Sequence, residues 1–413
     1  MKITMISNYI NHHQIPFSEA MYDRIGSSYC FIQTEPMEEK RIQMGWAVNP
    51  KDYPYVVLSY EDMELAKKAI DDCDMLLVGW LEDEALIQDR LKAGKIVLRI
   101  SERLYREGQW KAISPRGLLR KYKDHIRYRK SPVYLLCNGA FVASDYKLIC
   151  AYPGKMLKFG YFPATRSYYD TASLWKNKDK IDTIHIEAEE ELPLKPPVLT
   201  AKNIQIVWAG RFLELKHPEF MVKLAADLTN RGYRFHIHMI GAGPLEDELK
   251  EMAEYEMIAE HITFHGFLGP EKVRDIMESS HIHIFTSNFL EGWGAVVNEG
   301  MNAGLAEVVN DEAGCAQYLI EHKQNGLLYH EGSYNSMLEQ VVWLFENPHM
   351  ITQFGKAAYD TIITKWNAEV AADRVIDFYE GLKSGQMRVA EDGPMSIAPI
   401  IKPRFWASGK LKD

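Results

Sequence analysis

The segment EGWGAVVNE sets two carboxylates, Glu291 and Glu299, eight positions apart across a turn that carries two glycines. Gly292 and Gly294 allow the backbone to approach a ligand, and the amides that begin the next helix offer donors to a phosphate. Glu299 falls about two helical turns later, in a phase that can bring it back toward Glu291. The spacing indicates a site for a sugar and its nucleotide, although a helix that merely contains two acids also satisfies it.

Two cations follow an earlier strand-like run in the same half of the chain. The run IQIVWAG ends at Gly210, and Arg211 and Lys216 then stand where a strand gives way to a helix that we expect to begin near Pro218. Cations beside a helix amino terminus can hold the two negative charges of a diphosphate without a metal. A pair of solvated surface charges is the alternative, and the loop's place at the carboxyl end of a strand keeps both interpretations open.

Two further glycine turns close strands in this half. The turn GAGP at 241–244 lets backbone approach a ligand or a neighbouring element, but it lacks the third glycine of a dinucleotide fingerprint. Gly266 follows the next strand and can offer backbone contacts to a nucleobase. The simpler interpretation is that His265 beside it is a polar strand terminus.

Apolar runs alternate with helix-like segments through most of the chain, which is typical of parallel strands joined by helical crossovers. The predicted fold class is therefore α/β, with two Rossmann-like, doubly wound domains facing each other across a cleft. Strands are expected in the first half at 2–6, 29–32, 55–58, 75–78, 96–99 and 134–136, and in the second half at the runs that begin at 204, 235, 262 and 281.

Length and composition exclude several classes of protein. A chain of 413 residues is too long for one hydrophobic core, so two domains are expected. A net charge of −9 argues against a nucleic-acid partner. Five scattered cysteines without a CxxC pair favour reduced thiols and no structural zinc. We find neither a secretion signal nor an apolar run long enough to span a membrane. The expected location is cytoplasmic, with peripheral attachment to the inner face of the membrane left open.

The second half resembles the retaining glycosyltransferases of family 4, also called glycosyl transferases group 1, which have the GT-B fold. The resemblance covers about 204–350 and depends on several motifs in a fixed order. These are WAGRFLELKHPE, HMIGAGPLEDEL, ITFHGFLGPEKV, the EGWGAVVNE segment with GMNAGLAEVVN after it, and QNGLLY.

The resemblance implies a role for each matching residue. Arg211 and Lys216 would bind the donor diphosphate, Glu291 the transferred sugar and Glu299 the ribose, with Arg211, Lys216 and Glu291 acting in catalysis. The full predicted donor site is Arg211, Lys216, Gly266, Glu291, Gly292, Trp293, Gly294 and Glu299. We expect no metal and no cofactor, with a nucleotide sugar of UDP or GDP type as the donor substrate.

The same comparison yields a domain plan. It comprises an acceptor-side domain at 1–170, a linker at 171–200, a nucleotide-sugar domain at 201–365, a helix at 366–383 that packs back on the first domain, and a tail at 384–413. The acidic run EAEEELPLKPP, with its three prolines, identifies the linker. An exposed acidic loop within one domain is the alternative. The tail has little periodic pattern, so we expect it to be disordered or loosely docked.

The first half departs from the family pattern. A polar loop with His12 and His13 follows the first strand in place of a glycine-rich loop, and RISERLYREG stands where many members place a histidine. His12, His13 and Glu102 are therefore candidates for the acceptor side. Glu102 can bind a sugar hydroxyl, or it can form a plain surface pair with Arg103.

A basic segment lies between Ser114 and Pro132. Its cations repeat at spacings of four and three, which predicts one helix with a basic stripe and a separate apolar face of Leu118, Leu119, Tyr122 and Ile126. Such a stripe suits anionic lipid, an anionic or lipid-linked acceptor, or plain solvent. The candidate membrane residues are Arg116, Arg120, Lys123, Arg127 and Lys130.

These observations favour a retaining, metal-independent glycosyltransferase. It would move a hexose from a nucleotide-diphosphate sugar to a glycan or lipid-linked acceptor in cell-surface polysaccharide biosynthesis. A nucleotide-sugar epimerase or hydrolase on the same fold remains an alternative, because fold does not determine reaction. A non-catalytic nucleotide-sugar-binding subunit is a third, since the first domain lacks the family histidine.

Overall fold

The computed structural model describes residues 1–39, 48–168 and 203–403. The chain divides into two compact units, Met1–Ala164 with Lys365–Asp413 and Thr165–Thr364. The predicted linker at 171–200 lies outside the described residues. Each unit is a parallel sheet with helical crossovers, which confirms the predicted fold class of two Rossmann-like domains.

The first unit is built on a seven-stranded parallel sheet in the order β3-β2-β1-β4-β5-β6-β7. Its strands are β1 Ile3–Ser7, β2 Tyr29–Gln33, β3 Val56–Leu58, β4 Met75–Val78, β5 Ile96–Ser101, β6 Val133–Asn138 and β7 Met156–Phe159. Its helices are α1 Ile15–Ile25, α2 Met63–Asp72, α3 Ala85–Lys92, α4 Pro115–Asp124 and α5 Val142–Leu148. The central strands are continuous apolar runs, as expected for a sheet covered on both faces.

The second unit repeats this plan with six parallel strands in the order β10-β9-β8-β11-β12-β13. Its strands are β8 Ile204–Ala209, β9 Phe235–Ile240, β10 Ile262–Phe264, β11 Ile282–Phe285, β12 Ala306–Asn310 and β13 Gly326–Tyr329. Its helices are α6 Glu219–Asn230, α7 Glu246–Tyr255, α8 Pro270–Ser279, α9 Ala295–Asn302, α10 Ala316–Leu319, α11 Tyr334–Glu346 and α12 Pro348–Thr364.

Both sheets reverse their winding direction at one internal strand. In the first unit β1 lies between β2 and β4, and in the second β8 lies between β9 and β11. Ligands of doubly wound sheets bind beyond the carboxyl ends of the strands at such a switch point. The loops after β1 and β4, and those after β8 and β11, therefore occupy the positions where the fold itself favours a site.

The last helix, α13 at Ala368–Lys383, belongs to the first unit. It begins at Asn367, whose side chain accepts a hydrogen bond from the Val370 amide at 2.8 Å, and it packs along α1. Arg24 on α1 and Asp373 on α13 form an ion pair across this contact.

The segment after α13 corrects our expectation of a loosely docked tail. The Met395 amide donates to the Lys158 carbonyl at 2.8 Å, and the Ala398 amide donates to that of Met156 at 2.9 Å. Asp392 accepts from Lys158 and Lys365 at 2.7 and 2.8 Å. The segment up to residue 398 is thus held to β7. The sequence pattern did not indicate this, because the hydrogen bonds are made by backbone groups and by one aspartate, and neither produces an apolar period.

The predicted helix between Ser114 and Pro132 is also shorter than expected. It ends at Asp124, because His125 leaves the helical conformation with a φ of −132°. His125 is buried and lies 2.7 Å from the Tyr152 hydroxyl, and a 3-10 turn at Ile126–Tyr128 buries Tyr128. A continuous helix would not bring both of these side chains into the core.

Candidate active site

Two loops flank the switch point of the second sheet and are bonded to each other. The Trp208 indole on β8 donates to the Thr286 hydroxyl after β11 at 2.7 Å. The Asn288 amide donates to the Leu215 carbonyl at 2.9 Å, and the Thr286 hydroxyl donates to the carbonyl of Lys216. The loop that carries the predicted cations is therefore held beside the loop that carries Glu291.

Lys216 and Glu291 form an ion pair across these loops. Both side chains are largely buried, and the Lys216 ammonium lies 5.8 Å from the centre of the Phe285 ring. The Glu291 amide donates to the Asn288 carbonyl at 2.9 Å, which folds the start of the glycine turn. The structure thus brings together two of the three predicted catalytic residues, and the carboxylate holds the ammonium at the switch point.

Arg211 lies on the same loop but is exposed, and its guanidinium makes no hydrogen bond or ion pair with the residues that the structure describes. The loop beneath it is firmly anchored. Phe212 is fully buried, and its amide donates to the Ala242 carbonyl at 3.1 Å. Arg211 is therefore a cation on a fixed base at the carboxyl end of β8, and its charge is available to an anion.

The glycines of the GAGP turn are required by packing between neighbouring loops. A Cβ on Gly241, whose φ is +131°, would lie 1.9 Å from the Gly210 carbonyl oxygen, and one on Gly243 would lie 2.5 Å from that of Phe212. Gly266, at a φ of +64°, has open space around its Cα, and its carbonyl accepts from the Gly241 amide at 2.9 Å. Of these turns, only the one at Gly266 leaves room beside the backbone.

The EGWG turn is likewise shaped by close packing. Gly294 has a φ of +95°, and a Cβ there would lie 2.6 Å from Cζ of Phe285. A Cβ on Gly314 would lie 1.8 Å from the carbonyl oxygen of Gly292. The Trp293 side chain is buried, and its indole donates to Asn298 at 2.8 Å. This indole supports the turn from inside the fold.

Glu299 lies on α9 apart from the Lys216–Glu291 pair. Its carboxylate makes no hydrogen bond or ion pair among the described residues, and it is largely buried. Burial raises the pKa of Glu299 above its ordinary value, and the nearby charge of Arg274 and of His283 only partly offsets this. The structure therefore does not bring the two glutamates into contact, and Glu299 carries a carboxylate that the protein compensates only in part.

A buried pair that the sequence did not reveal supports α9 from below. His283 on β11 and Glu307 on β12 are both fully buried, with Nδ1 and Oε2 2.7 Å apart. A Cβ on Gly300 of α9 would lie 2.3 Å from Oε1 of Glu307 and 2.9 Å from Nδ1 of His283. The helix that carries Glu299 thus packs directly on this pair. In the sequence, the pair could have been found as two polar residues inside two otherwise apolar strands.

Glu331, after β13, is a second residue that sequence reasoning missed. It accepts a hydrogen bond from the Asn310 side chain at 2.5 Å. Burial raises the pKa of Glu331 to about 7, with the nearby Glu312 carboxylate adding to the effect, while a hydrogen bond from the Phe289 amide opposes it. This carboxyl group therefore supports the loop that leads into Glu291.

The first unit brings its three predicted acceptor-side residues into one cluster. The His12 and His13 rings are 3.9 Å apart, and the His13 ring stacks on Tyr161 at 5.3 Å. The Tyr161 hydroxyl donates to Glu102 at 2.9 Å, and Arg106 forms an ion pair with the same carboxylate. Burial lowers the pKa of His12 below its ordinary value. Tyr161 joins residues from the loops after β1, β5 and β7, and it was not predicted.

The alternative in which Glu102 forms a surface pair with Arg103 is wrong. The Arg103 guanidinium is buried and forms an ion pair with Asp145 at 3.5 Å. Asp145 also accepts from the Gln109 side chain at 2.8 Å and from the Tyr105 amide at 3.0 Å. Arg103 therefore fixes the loop after β5 from inside, and Arg106 is the cation that reaches Glu102.

The five candidate membrane residues do not share one helix. Arg116, Arg120 and Lys123 are exposed on α4. Arg127 instead donates to Gln88 at 2.7 Å and lies over the Tyr128 ring at 4.6 Å, while Lys130 is exposed beyond the helix. Within the part of the chain that the structure describes, no helix is both long and apolar enough to cross a membrane, and no group of three or more potential ligands is arranged to hold a metal.

Residues 194–361 match the sequence model of the family Glycosyl transferases group 1. The matched segment lies within the second unit. The chain is similar to the putative glycosyltransferase EpsF of Bacillus subtilis, at 31% identity over 27% of this chain and 29% of the relative. It is also similar to the amylovoran biosynthesis glycosyltransferase AmsK of Erwinia amylovora, at 23% identity over 51% of this chain and 54% of the relative. The matches thus span about half of these relatives or less.

The fold of both units recurs in a solved structure. Anabaena Alr3699/HepE in complex with UDP superimposes with a TM-score of 0.63 at 13% identity, covering 93% of this chain and 100% of that one. The same protein has also been solved with UDP-glucose. At this identity the similarity shows the fold alone, and that fold is GT-B.

Proposed function

We propose that this protein is a retaining, metal-independent glycosyltransferase that moves a hexose from a nucleotide-diphosphate sugar to a glycan or lipid-linked acceptor. The observation that carries the proposal is the Lys216–Glu291 ion pair at the switch point of the second sheet, beside the unpaired cation of Arg211. An ammonium already neutralised by a carboxylate is ready to exchange partners when a diphosphate arrives.

In the proposed complex, the diphosphate lies between Arg211 and Lys216. Lys216 then contacts phosphate oxygen, and Glu291 is released to accept hydrogen bonds from the hydroxyls of the transferred sugar. Glu299 accepts hydrogen bonds from the ribose, which stabilise a buried carboxylate that is only partly compensated in the free protein. The base lies near Gly266, where the backbone leaves open space.

The proposed reaction breaks the bond between the anomeric carbon and the diphosphate oxygen. The electron pair stays on that oxygen, and the acceptor hydroxyl forms the new bond on the same face of the sugar, so the anomeric configuration is retained. The acceptor proton passes to the departing phosphate oxygen. Arg211 and Lys216 stabilise the charge that develops there, which is the largest contribution that fixed cations can make.

The acceptor side is proposed to be the cluster of His12, His13, Glu102 and Tyr161 in the first unit. Glu102 is oriented by the Tyr161 hydroxyl and Arg106, and it can accept a hydrogen bond from an acceptor hydroxyl. The name of AmsK, an amylovoran biosynthesis glycosyltransferase, supports a role in the biosynthesis of a polysaccharide. HepE in complex with UDP-glucose supports a UDP sugar, with a GDP sugar as the alternative.

A donor screen tests this proposal. Thermal unfolding is measured with UDP-glucose, UDP-galactose, UDP-N-acetylglucosamine and GDP-mannose, since a bound donor stabilises the folded state according to its concentration over its Kd. We expect one nucleotide class to raise the Tm of the wild type, and Lys216→Met to reduce the shift. The same effect in EDTA supports independence from metal, and loss of the shift in EDTA contradicts it.

The donor alone separates transfer from the alternative reactions. We expect slow turnover of the bound donor without an acceptor. Rapid release of free sugar would favour a hydrolase, and rapid interconversion of epimers would favour an epimerase. No stabilisation by any of the four donors would refute the proposed donor site.

A further inference from the structure

Helix α4 is amphipathic in sequence but buries none of its ten residues. Leu119 and Tyr122 are 59% and 54% exposed, and Leu118 is also exposed. A helix that packs on its own domain buries its apolar stripe. In α4 that stripe points away from the described core, although the Ser114 side chain caps the helix regularly by accepting from the Gly117 amide.

The turn before α4 adds two more exposed apolar side chains. Ile113 is 80% exposed and Trp110 is 48% exposed, both within the 3-10 turn Gln109–Ile113. A groove of about 510 Å³ opens beside them, lined by Leu104, Tyr105 and the same two side chains. We call residues 109–124 the α4 surface. Exposed apolar side chains grouped in this way mark an interaction site.

The charges on the α4 surface are mainly positive. Arg116, Arg120 and Lys123 are exposed among the apolar side chains. The acid on the helix, Asp124, lies 3.6 Å from Arg120. The whole chain carries a net charge of −9, so this face has the opposite sign from the protein as a whole. An anionic partner would therefore be attracted to this face.

We propose that the α4 surface docks on an anionic lipid bilayer. Trp110 and Tyr122 would lie at the level of the head groups, Ile113 and Leu119 would enter the acyl boundary, and Arg116, Arg120 and Lys123 would contact anionic head groups. Cations interleaved with exposed aromatic and aliphatic side chains on one short helix suit an interface that is charged outside and apolar within. An acidic protein surface would match the cations but not the aliphatic side chains.

Docking of this kind goes beyond sugar transfer and does not depend on it. It would, however, place the neighbouring loop next to the lipid surface, because Leu104 of the groove is two residues from Glu102. A lipid-linked acceptor would then meet the proposed acceptor cluster from the bilayer.

Vesicle co-sedimentation tests the proposal. The full chain is mixed with vesicles of phosphatidylcholine alone or with 30% phosphatidylglycerol. We expect binding to the anionic vesicles that weakens with salt. A triple Arg116→Gln, Arg120→Gln, Lys123→Gln variant loses three cations that each contribute about 1 kcal/mol near an anionic leaflet, so its partition coefficient should fall about 100-fold. The double variant Ile113→Ser, Leu119→Ser should lower it about tenfold without changing the salt dependence.

A matched control is the triple variant Lys67→Gln, Lys68→Gln, Lys272→Gln, which removes three exposed cations elsewhere and should bind like the wild type. Equal loss in this control would overturn the proposal, as would the absence of binding to anionic vesicles. Self-association that the Ile113 and Leu119 changes abolish would assign the surface to a second copy instead. Thermal shift by the nucleotide sugar, measured on the same variants, reports on the donor site separately and should be unchanged.

Discussion

Replacement of Glu299 by glutamine should stabilise the free protein and weaken donor binding. Burial raises the pKa of Glu299, so the folded state favours its neutral form, and the ionised carboxylate costs stability at neutral pH. The neutral Glu299 carboxyl contributes fully to the free energy of unfolding below the ordinary pKa of a glutamate. That contribution is lost as pH rises through the raised pKa of the folded state. Glu299→Gln removes that loss, so its gain in unfolding free energy should grow from pH 5 to pH 8.

The effect on binding has the opposite sign. Hydrogen bonds from ribose hydroxyls to a carboxylate contribute about 1.5–3 kcal/mol, and glutamine retains one acceptor. The Kd for the nucleotide should therefore rise about 10- to 150-fold.

Isothermal titration and urea unfolding measure the two effects. UDP or GDP, chosen from the donor screen, is compared with its 2′,3′-dideoxy analogue. The wild type should bind the analogue more weakly than the nucleotide. Glu299→Gln should bind the two ligands with nearly the same Kd, because the substitution and the missing hydroxyls remove the same contact. Glu248→Gln, an exposed change on α7, is the control. The reasoning would be refuted if Glu299→Gln raised the Kd of the nucleotide and the Kd of its analogue by the same factor. It would also be refuted if the variant were less stable than the wild type at pH 8.

Three further substitutions test the roles of Lys216, Glu331 and Tyr161. Lys216→Met should lower kcat about 10²- to 10³-fold, as for loss of a group that stabilises departing charge, and steady-state assays with Lys216→Arg as the conservative control check this. Glu331→Gln should be more stable than the wild type by about 1–3 kcal/mol at pH 8, and this difference should vanish near pH 4.5. The reason is that ionisation of a carboxyl group whose pKa is about 7 in the folded state destabilises the wild-type fold as pH rises through that value. Urea unfolding at both pH values measures the difference. Tyr161→Phe should raise KM for the acceptor about tenfold and leave donor Kd unchanged, since only the bond to Glu102 is lost, and an altered donor Kd would contradict that role.

The fold could be predicted because its strands are short, buried apolar runs separated by helices. The expected runs at 75–78 and 29–32 agree with β4 at Met75–Val78 and with β2 at Tyr29–Gln33. The early end of α4 could not be foreseen, because it follows from the burial of His125 and Tyr128, which a periodic pattern does not encode.

The site could be predicted only as a set of residues. The contact between Lys216 and Glu291 joins positions 75 apart in sequence, and it depends on β8 and β11 lying side by side. Strand order is a property of the whole sheet, so local spacing within the EGWG segment did not reveal it. Tyr161 was missed for a related reason, because it follows β7, an edge strand that we did not predict.

Transfer of labelled sugar is the decisive measurement for the proposed retaining glycosyltransferase activity. The wild type and Lys216→Met are incubated with the donor identified in the thermal screen and with a lipid and glycan extract, and the anomeric configuration of the product is determined by NMR. We expect transfer with retained configuration by the wild type and at least about a hundredfold less transfer by the variant. An inverted product, equal transfer by the two proteins, or no transfer despite donor binding would contradict the proposed activity.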